Sequence, residues 1–176
     1  RCYHCKRVLF TRLKRLARQK GFRYVADGSH DDDTGIYRPG RRALRALGIR
    51  SPLQEAGLTK KDIRWLARKK KLPNWAAESQ TCLATRFPYG QGITRSRLKA
   101  VGQAEEFLRT LGFENFRVRF HGTMARIEVP QRQIARLFHS RHKVVRYLKR
   151  LGFLYVAADL DGYRSGSLDE VLAWKK

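Results

Sequence analysis

Leu9, Leu13, Leu16 and Ala17 recur at i, i+4, i+7 and i+8, which predicts an amphipathic helix from Arg7 to Lys20. Arg12, Lys14, Arg15, Arg18 and Gln19 form its solvated face. Gly21 ends it in the left-handed conformation and Phe22 folds back onto the last turn. Arg23 to Ala26 reads as a short strand, followed by the polar loop Asp27 to Asp33 and a short helix from Ala43 to Leu47. Thr59 caps a helix reaching about Lys70, with Asp62 at N3, Ile63, Leu66 and Ala67 inward, and Pro73 as its stop. From Asn74 to Gly92 no period is visible. Trp75, Pro88, Tyr89, Gly90 and Gly92 mark a long ordered loop, a kind of segment that carries function.

Thr94 caps the next helix, whose stripe is Leu98, Val101, Ala104 or Glu105, Leu108 and Leu111. Phe116 to Phe120 alternates as a strand, and Gly122-Thr123 turns the chain into a second strand, Ala125 to Val129, as a hairpin. Beyond Pro130 come helices from about Gln131 to Phe138 and from about His142 to Leu151, then a strand from Leu154 to Ala158. The segments Leu16 to Asp27, Leu108 to Arg119 and Leu148 to Asp159 all read helix, Gly, Phe, strand. A recurrent helix C-cap explains this more simply than a duplication. The pattern predicts an α/β fold with a boundary in the loop near residues 83 to 94, dividing 1–82 from 83–176.

A chain of 176 residues suits one domain or two small ones, and 42% hydrophobic with 11% aromatic residues makes it globular. No apolar stretch approaches the ~20 residues of a membrane-spanning helix, and no signal peptide is visible. The chain begins at Arg1 and its only methionine is Met124, so it reads as the C-terminal part of a longer protein. The net charge of +24, from 39 basic and 15 acidic residues, would attract phosphates, nucleotides, RNA or acidic partners, or else reflects solvated helix surface.

Candidate chemistry begins with three cysteines, Cys2 and Cys5 in a C-x-x-C and Cys82 far away. An odd number is not a complete disulfide framework. Brought together, three thiolates make a metal or cluster site with one position open to sulfide, water or substrate, with their Cα atoms within roughly 10 Å. The alternatives are a buried apolar cysteine at 82 and a chance C-x-x-C. Arg86 is placed to meet phosphate or favour the Cys82 thiolate. Arg117 and Arg119 share one strand face, as two forks for a nucleotide phosphate or as an exposed basic edge.

A set of longer segments carries a resemblance. These are Arg1-Cys2-Tyr3-His4-Cys5-Lys6, Ala26 to Asp32, Tyr37-Arg38-Pro39-Gly40, Ser51 to Lys60, Thr81 to Gly90, Arg117 to Gly122, Ala125 to Pro130 and Asp161 to Leu168. Together they resemble the ATP-dependent sacrificial sulfur transferases of the PP-loop pyrophosphatase superfamily, which help build the nickel-pincer nucleotide cofactor of lactate racemase. The resemblance covers nearly the whole chain. It implies that 1–82 is the remainder of a PP-loop ATP pyrophosphatase domain, adenine nucleotide alpha hydrolase-like and Rossmann-type, and that 83–176 is a small α/β domain for substrate and sulfur transfer.

The activity implied is adenylation of a carboxylate of a pyridinium dicarboxylate mononucleotide by ATP with magnesium, then conversion to a thiocarboxylate. Some members take the sulfur from a cysteine at the position of Cys82. Members with cysteines at the positions of Cys2, Cys5 and Cys82 resemble cluster-dependent tRNA thiolases with a [4Fe-4S] cluster, and this chain has all three. The resemblance further places Arg117 and Arg119 on substrate phosphate, Glu106 and Glu128 on metal or substrate, Asp32 near the ATP phosphates and Lys60 on pyrophosphate. His4 and His121 would tune a cluster or make structural hydrogen bonds. Implied partners are a nucleotide-like small molecule, other cofactor-maturation proteins and further copies of the chain in a homo-oligomer, in the cytoplasm, without membrane or nucleic acid.

The sequence departs from the pattern in three places. The Ser-Gly-Gly-x-Asp-Ser loop is absent, so this chain alone is not expected to bind ATP competently. Gly28-Ser29-His30 replaces Gly-Thr-Asn, and Trp75-Ala76-Ala77-Glu78 replaces Trp-Asp-Lys-Pro. The competing readings are a PP-loop tRNA thiolation enzyme and a non-catalytic zinc-binding RNA-binding module, the latter lacking the usual spacing of four ligands.

Overall fold

Helices α1 (Cys2–Gln19), α5 (Arg95–Thr110) and α7 (Arg141–Arg150) end in the same way. Gly21, Gly112 and Gly152 follow them at φ of 75°, 77° and 97°, a region open to glycine at no steric cost. The N–H of the next phenylalanine reaches back five residues: Phe22 to Ala17 at 2.8 Å, Phe113 to Leu108 at 3.1 Å, Phe153 to Leu148 at 3.3 Å. Each is a Schellman closure, which accounts for the recurring helix-Gly-Phe pattern. Phe113 and Phe153 are buried by it, whereas Phe22 is 67% exposed.

The computed structural model describes residues 1–35, 39–77, 81–164 and 166–171. Tyr37, Arg38, Glu78 and Ser165 of the motifs quoted above lie outside the described residues. The chain forms two units, Arg1–Ala77 and Glu78–Lys176, so Cys82, expected at the end of the first domain, belongs to the second unit. Helix and sheet are mixed, as an α/β chain requires.

In the first unit α1 starts at Cys2 rather than Arg7, which makes the C-x-x-C its first turn. Only Phe10 of α1 is buried, against Leu44 of α2 (Gly40–Ala46) and Ile49, with Val25 and Leu47 alongside. The expected stripe Leu9, Leu13 and Leu16 is instead 37–49% exposed. Lys14, expected in solvent, donates to the Leu47 carbonyl at 2.6 Å, so the inner face is turned towards α2. The expected strand Arg23 to Ala26 is reduced to a single parallel bridge from Ala26 to Arg50, because an isolated strand pair has too little to pack against. After the short α3 (Pro52–Glu55), α4 (Lys60–Lys69) opens on the expected capping box between Thr59 and Asp62. Ile63 and Ala67 are partly covered, but Leu66 is exposed.

The second unit is built on a three-stranded sheet. β1 (Arg117–His121) and β2 (Met124–Glu128) form the expected antiparallel hairpin, and β3 (Tyr155–Ala158) adds to β2 in parallel. Thr94 caps α5, accepting from the Arg97 N–H at 3.2 Å. The expected helix at Gln131 opens as a single tight turn, closed by Gln133 N–H to the Pro130 carbonyl at 2.7 Å, and α6 spans Ile134–His139. The core joins Val101, Ala104 and Leu108 of α5 and Val144 and Leu148 of α7 to Val118, Phe120, Ala125 and Ile127 of the hairpin. Strand alternation then fixes the opposite face. In the register Arg117↔Glu128 and Arg119↔Arg126, four charged side chains share it. Among the described residues no helix is long and apolar enough to cross a membrane.

Candidate functional site

A carboxylate removed from water needs charged donors. On the charged face of the hairpin Glu128, fully buried, has them: Arg119 gives Nε and Nη2 to one oxygen at 2.9 and 2.7 Å. Arg126 and the Ser167 hydroxyl give to the other at 3.0 and 2.9 Å. Arg119 also donates to the Thr85 carbonyl at 3.0 Å and to Ser167 Oγ at 3.0 Å. The two residues expected on substrate phosphate and on metal are thus engaged with each other.

Arg86, expected beside phosphate or the Cys82 thiolate, is buried in a second ion pair. Its Nε and Nη2 meet the two oxygens of Glu105 at 2.7 and 2.8 Å. Its third nitrogen, Nη1, reaches the loop that carries Cys82, donating to Thr81 Oγ1 at 2.5 Å and Thr85 Oγ1 at 2.9 Å. Arg86 therefore holds the backbone around Cys82, whose thiol is free and exposed. Glu105 was not expected as the partner of Arg86, although a glutamate at an inward position of the α5 stripe signals a buried partner. Glu106, the residue expected there, is 65% exposed on its side chain and pairs with Arg109 one turn along.

Arg117 differs from these. Among the described residues it has no carboxylate within ion-pair distance; its Nη1 donates to the Phe116 carbonyl at 2.6 Å and its guanidinium lies 4.9 Å from the Tyr163 ring centre. Burial pulls its pKa below the ordinary arginine value, and the nearby charges of Arg86 and Arg119 act in the same direction, against Tyr163 and Glu105. A half-buried cation in this state is stabilised by an anion. Arg117 lines a cleft of about 400 Å³ together with Thr81, Leu83, Arg86, Glu105 and Glu106. Thr81 and Leu83 flank the exposed Cys82 in sequence, and Cys82 itself is not part of the cleft wall. Glu128 does not line it.

A second cavity of about 270 Å³ lies between His121, Arg126, Pro88, Tyr89 and the segment around Ser167. Burial and the charge of Arg126 push His121 below its usual pKa, and its Nε2 has no hydrogen-bond partner among the described residues.

In the first unit Asp32 and Lys60 come together: the Asp32 carboxylate accepts the Lys60 N–H at 2.6 Å, tying the acidic loop to the start of α4. Asp27 lies below its usual pKa; burial pushes it up, but hydrogen bonds from Ser51 and Ser29 and the charge of Lys6, 3.7 Å away, outweigh that. Cys2 and Cys5 lie one helical turn apart on α1, both free and exposed. As a donor set, three free exposed cysteines fit an iron–sulfur cluster, whose ligands are thiolates. They are divided between the units, and no three His, Cys, Asp or Glu among the described residues group as a metal site.

No protein-family model matches the chain. It is 41% identical over 170 residues to the pyridinium-3,5-bisthiocarboxylic acid mononucleotide synthase of Lactiplantibacillus plantarum, covering 97% of the chain and 62% of the relative. The chain is similar to a thiocarboxylate-forming synthase. It is also 44% identical over 174 residues to an uncharacterized protein of Synechocystis sp., covering 98% of the chain and 65% of the relative. With an uncharacterized protein of Methanocaldococcus jannaschii it shares 33% identity over 165 residues, 94% of the chain and 64% of the relative. It spans somewhat under two thirds of the length of each of these relatives.

Proposed function

We propose that this chain is part of a sulfur-inserting synthase of nickel-pincer cofactor biosynthesis, built on a PP-loop ATP pyrophosphatase domain. The observation that carries the reading is Arg117, a half-buried cation without a carboxylate partner among the described residues, in a cleft whose wall includes both neighbours of the exposed Cys82. An anionic mononucleotide seated on Arg117 would bring a carboxylate to the sulfur site. The likeness to the L. plantarum synthase supports a thiocarboxylate product.

In this reading a substrate carboxylate oxygen attacks the α-phosphorus of ATP, pyrophosphate leaves, and an acyl-adenylate results; magnesium, when bound, would offset the phosphate charge. Sulfur then bonds to the acyl carbon and AMP departs. Asp32 and Lys60 hold the nucleotide side of the reaction. With Cys82 as donor, its sulfur displaces AMP; loss of its Cα proton then breaks the Cβ–S bond, leaving a thiocarboxylate and dehydroalanine. With all three cysteines present, we favour the other source, a [4Fe-4S] cluster that Cys2, Cys5 and Cys82 would hold and that would supply the transferable sulfide.

The test is made in the full-length protein. Cys82→Ala abolishes sulfur transfer under either source. Cys2→Ala separates them: a colourless, iron-free, inactive variant supports the cluster. Sulfur transfer retained by Cys2→Ala, with Cys82 lighter by its sulfur and two hydrogens, supports sacrifice of Cys82 instead. A zinc-loaded wild-type protein that transfers no sulfur overturns the enzymatic reading.

A further inference from the structure

The geometry points to Glu105 as the positioning residue for Cys82, acting through Arg86. This inference rests on the reading of Cys82 as sulfur donor or cluster ligand, and it names a residue to which neither the sequence nor the relatives assign a role.

A guanidinium is a rigid plane whose edges point in fixed directions. Glu105 occupies one of them, with its two carboxylate oxygens bonded to Arg86 Nε and Nη2 at 2.7 and 2.8 Å. It is itself fixed, because its Oε1 also accepts the Val118 N–H of β1 at 3.0 Å. The third nitrogen, Nη1, is thereby aimed at four oxygens of the cysteine loop: Thr81 Oγ1 at 2.5 Å, Thr85 Oγ1 at 2.9 Å, the Thr81 carbonyl at 3.3 Å and the Cys82 carbonyl at 3.4 Å. The Cys82 carbonyl accepts twice more, from the Thr85 N–H at 2.9 Å and the Thr85 hydroxyl at 2.7 Å.

Every one of these bonds grips backbone or hydroxyl oxygen, and none uses the sulfur. The thiol is left in solvent on a main chain referenced to the sheet through Val118, Glu105 and Arg86. A reacting sulfur gains from such fixing, because misplacement by about 1 Å can cost on the order of a hundredfold in rate.

Two variants test it in the full-length protein. Glu105→Gln keeps an acceptor for Val118 but sets an amide NH2 against the guanidinium, releasing its aim. Thr81→Val removes the shortest loop contact and leaves the buried pair intact. Both are expected to speed hydrogen exchange at the Thr85 amide by about tenfold or more while the β1–β2 amides stay protected. Both should also lower kcat for sulfur transfer by about tenfold or more, with KM for the mononucleotide within about threefold. Unchanged exchange and unchanged kcat in a folded Glu105→Gln overturns the inference. Should that variant fail to fold, the same result in Thr81→Val overturns it. If the wild type transfers no sulfur, the functional reading fails, while the exchange measurement still decides whether Glu105 holds the Cys82 loop.

Discussion

Arg119 and Glu128 lie diagonally across the β1–β2 hairpin, and two guanidinium nitrogens converge on one carboxylate oxygen at 2.9 and 2.7 Å. Glu128 is fully buried, so removing either partner strands a charge away from water. Glu128→Ala and Arg119→Ala should each cost the second unit about 3–5 kcal/mol. Glu106→Ala, which breaks only an exposed pair on α5, should cost less than about 1 kcal/mol. Urea denaturation of the three variants measures this. A Glu128→Ala protein as stable as wild type would show that the pair contributes little.

Arg117 is expected to behave in the opposite way. It has no carboxylate partner among the described residues, so Arg117→Gln relieves an unfavourable burial and leaves the melting temperature close to wild type. Binding of the anionic mononucleotide should weaken by about tenfold or more, since a charge-assisted hydrogen bond contributes about 1.5–3 kcal/mol. Calorimetric titration checks it. Equal affinity of the two proteins would move the phosphate subsite away from this cleft.

The contrast between Arg117 and Arg119 shows how far the sequence could be read. The alternation of Arg117 and Arg119 and the Gly122-Thr123 turn were both visible, and the hairpin formed where expected. Carrying that register one step further would have brought Glu128 opposite Arg117 and beside Arg119, and so shown a carboxylate for Arg119 to engage. The caps at Thr59 and Thr94 were legible because each is a local side-chain-to-backbone hydrogen bond, returned by Asp62 at Thr59. The first turn of α1 was not, because Arg1 to Lys6 offers no side-chain cap and no apolar period. The inner face of α1 was misjudged for another reason. Periodicity shows that a helix has an apolar stripe, but tertiary packing on α2 chose Phe10 over Leu9, Leu13 and Leu16. The pair Arg86–Glu105 joins residues nineteen apart in sequence, on a loop and a helix, and only the fold brings them together.

Acid should loosen the first unit. The Arg50 fork and the Ser51 N–H hold Glu55 at about 2, against an ordinary 4.5. A carboxylate with a depressed folded pKa adds stability that is complete above the unfolded value and is lost as pH falls towards the folded one. The window is therefore from 4.5 down to about 2, and Asp27, also lowered from 3.8, adds to the same loss. Arg50 carries the backbone bridge to Ala26, so the Asp27 amide, bonded to the Arg50 carbonyl at 2.9 Å, reports the loosening. An acid titration followed by NMR should show that amide losing protection in the window, with a shallower dependence in Glu55→Gln. An identical titration in the variant would exclude Glu55 as the cause.

The second unit should respond at a higher pH, through His121. Burial and the neighbouring Arg126 push its folded pKa below 6.5. The sign is the reverse of a histidine that gains an acidic partner. As pH falls below 6.5, the unfolded chain takes up a proton that the folded one resists, so the unfolded state binds more protons and stability declines. Above 6.5 both states are neutral and the contribution is flat. Urea midpoints measured at about pH 7.5 and about pH 5.5 should therefore fall on acidification, and His121→Gln should remove part of that fall because its amide does not titrate in this range. Glu128 opposes the shift but is already engaged by Arg119, Arg126 and Ser167, which is why burial prevails at His121. An anion bound beside His121 and Arg126 in the 270 Å³ cavity would favour the protonated ring. The slope would then shrink on addition of inorganic phosphate, and an unchanged slope would exclude an anion there and leave burial and the charge of Arg126 as its causes.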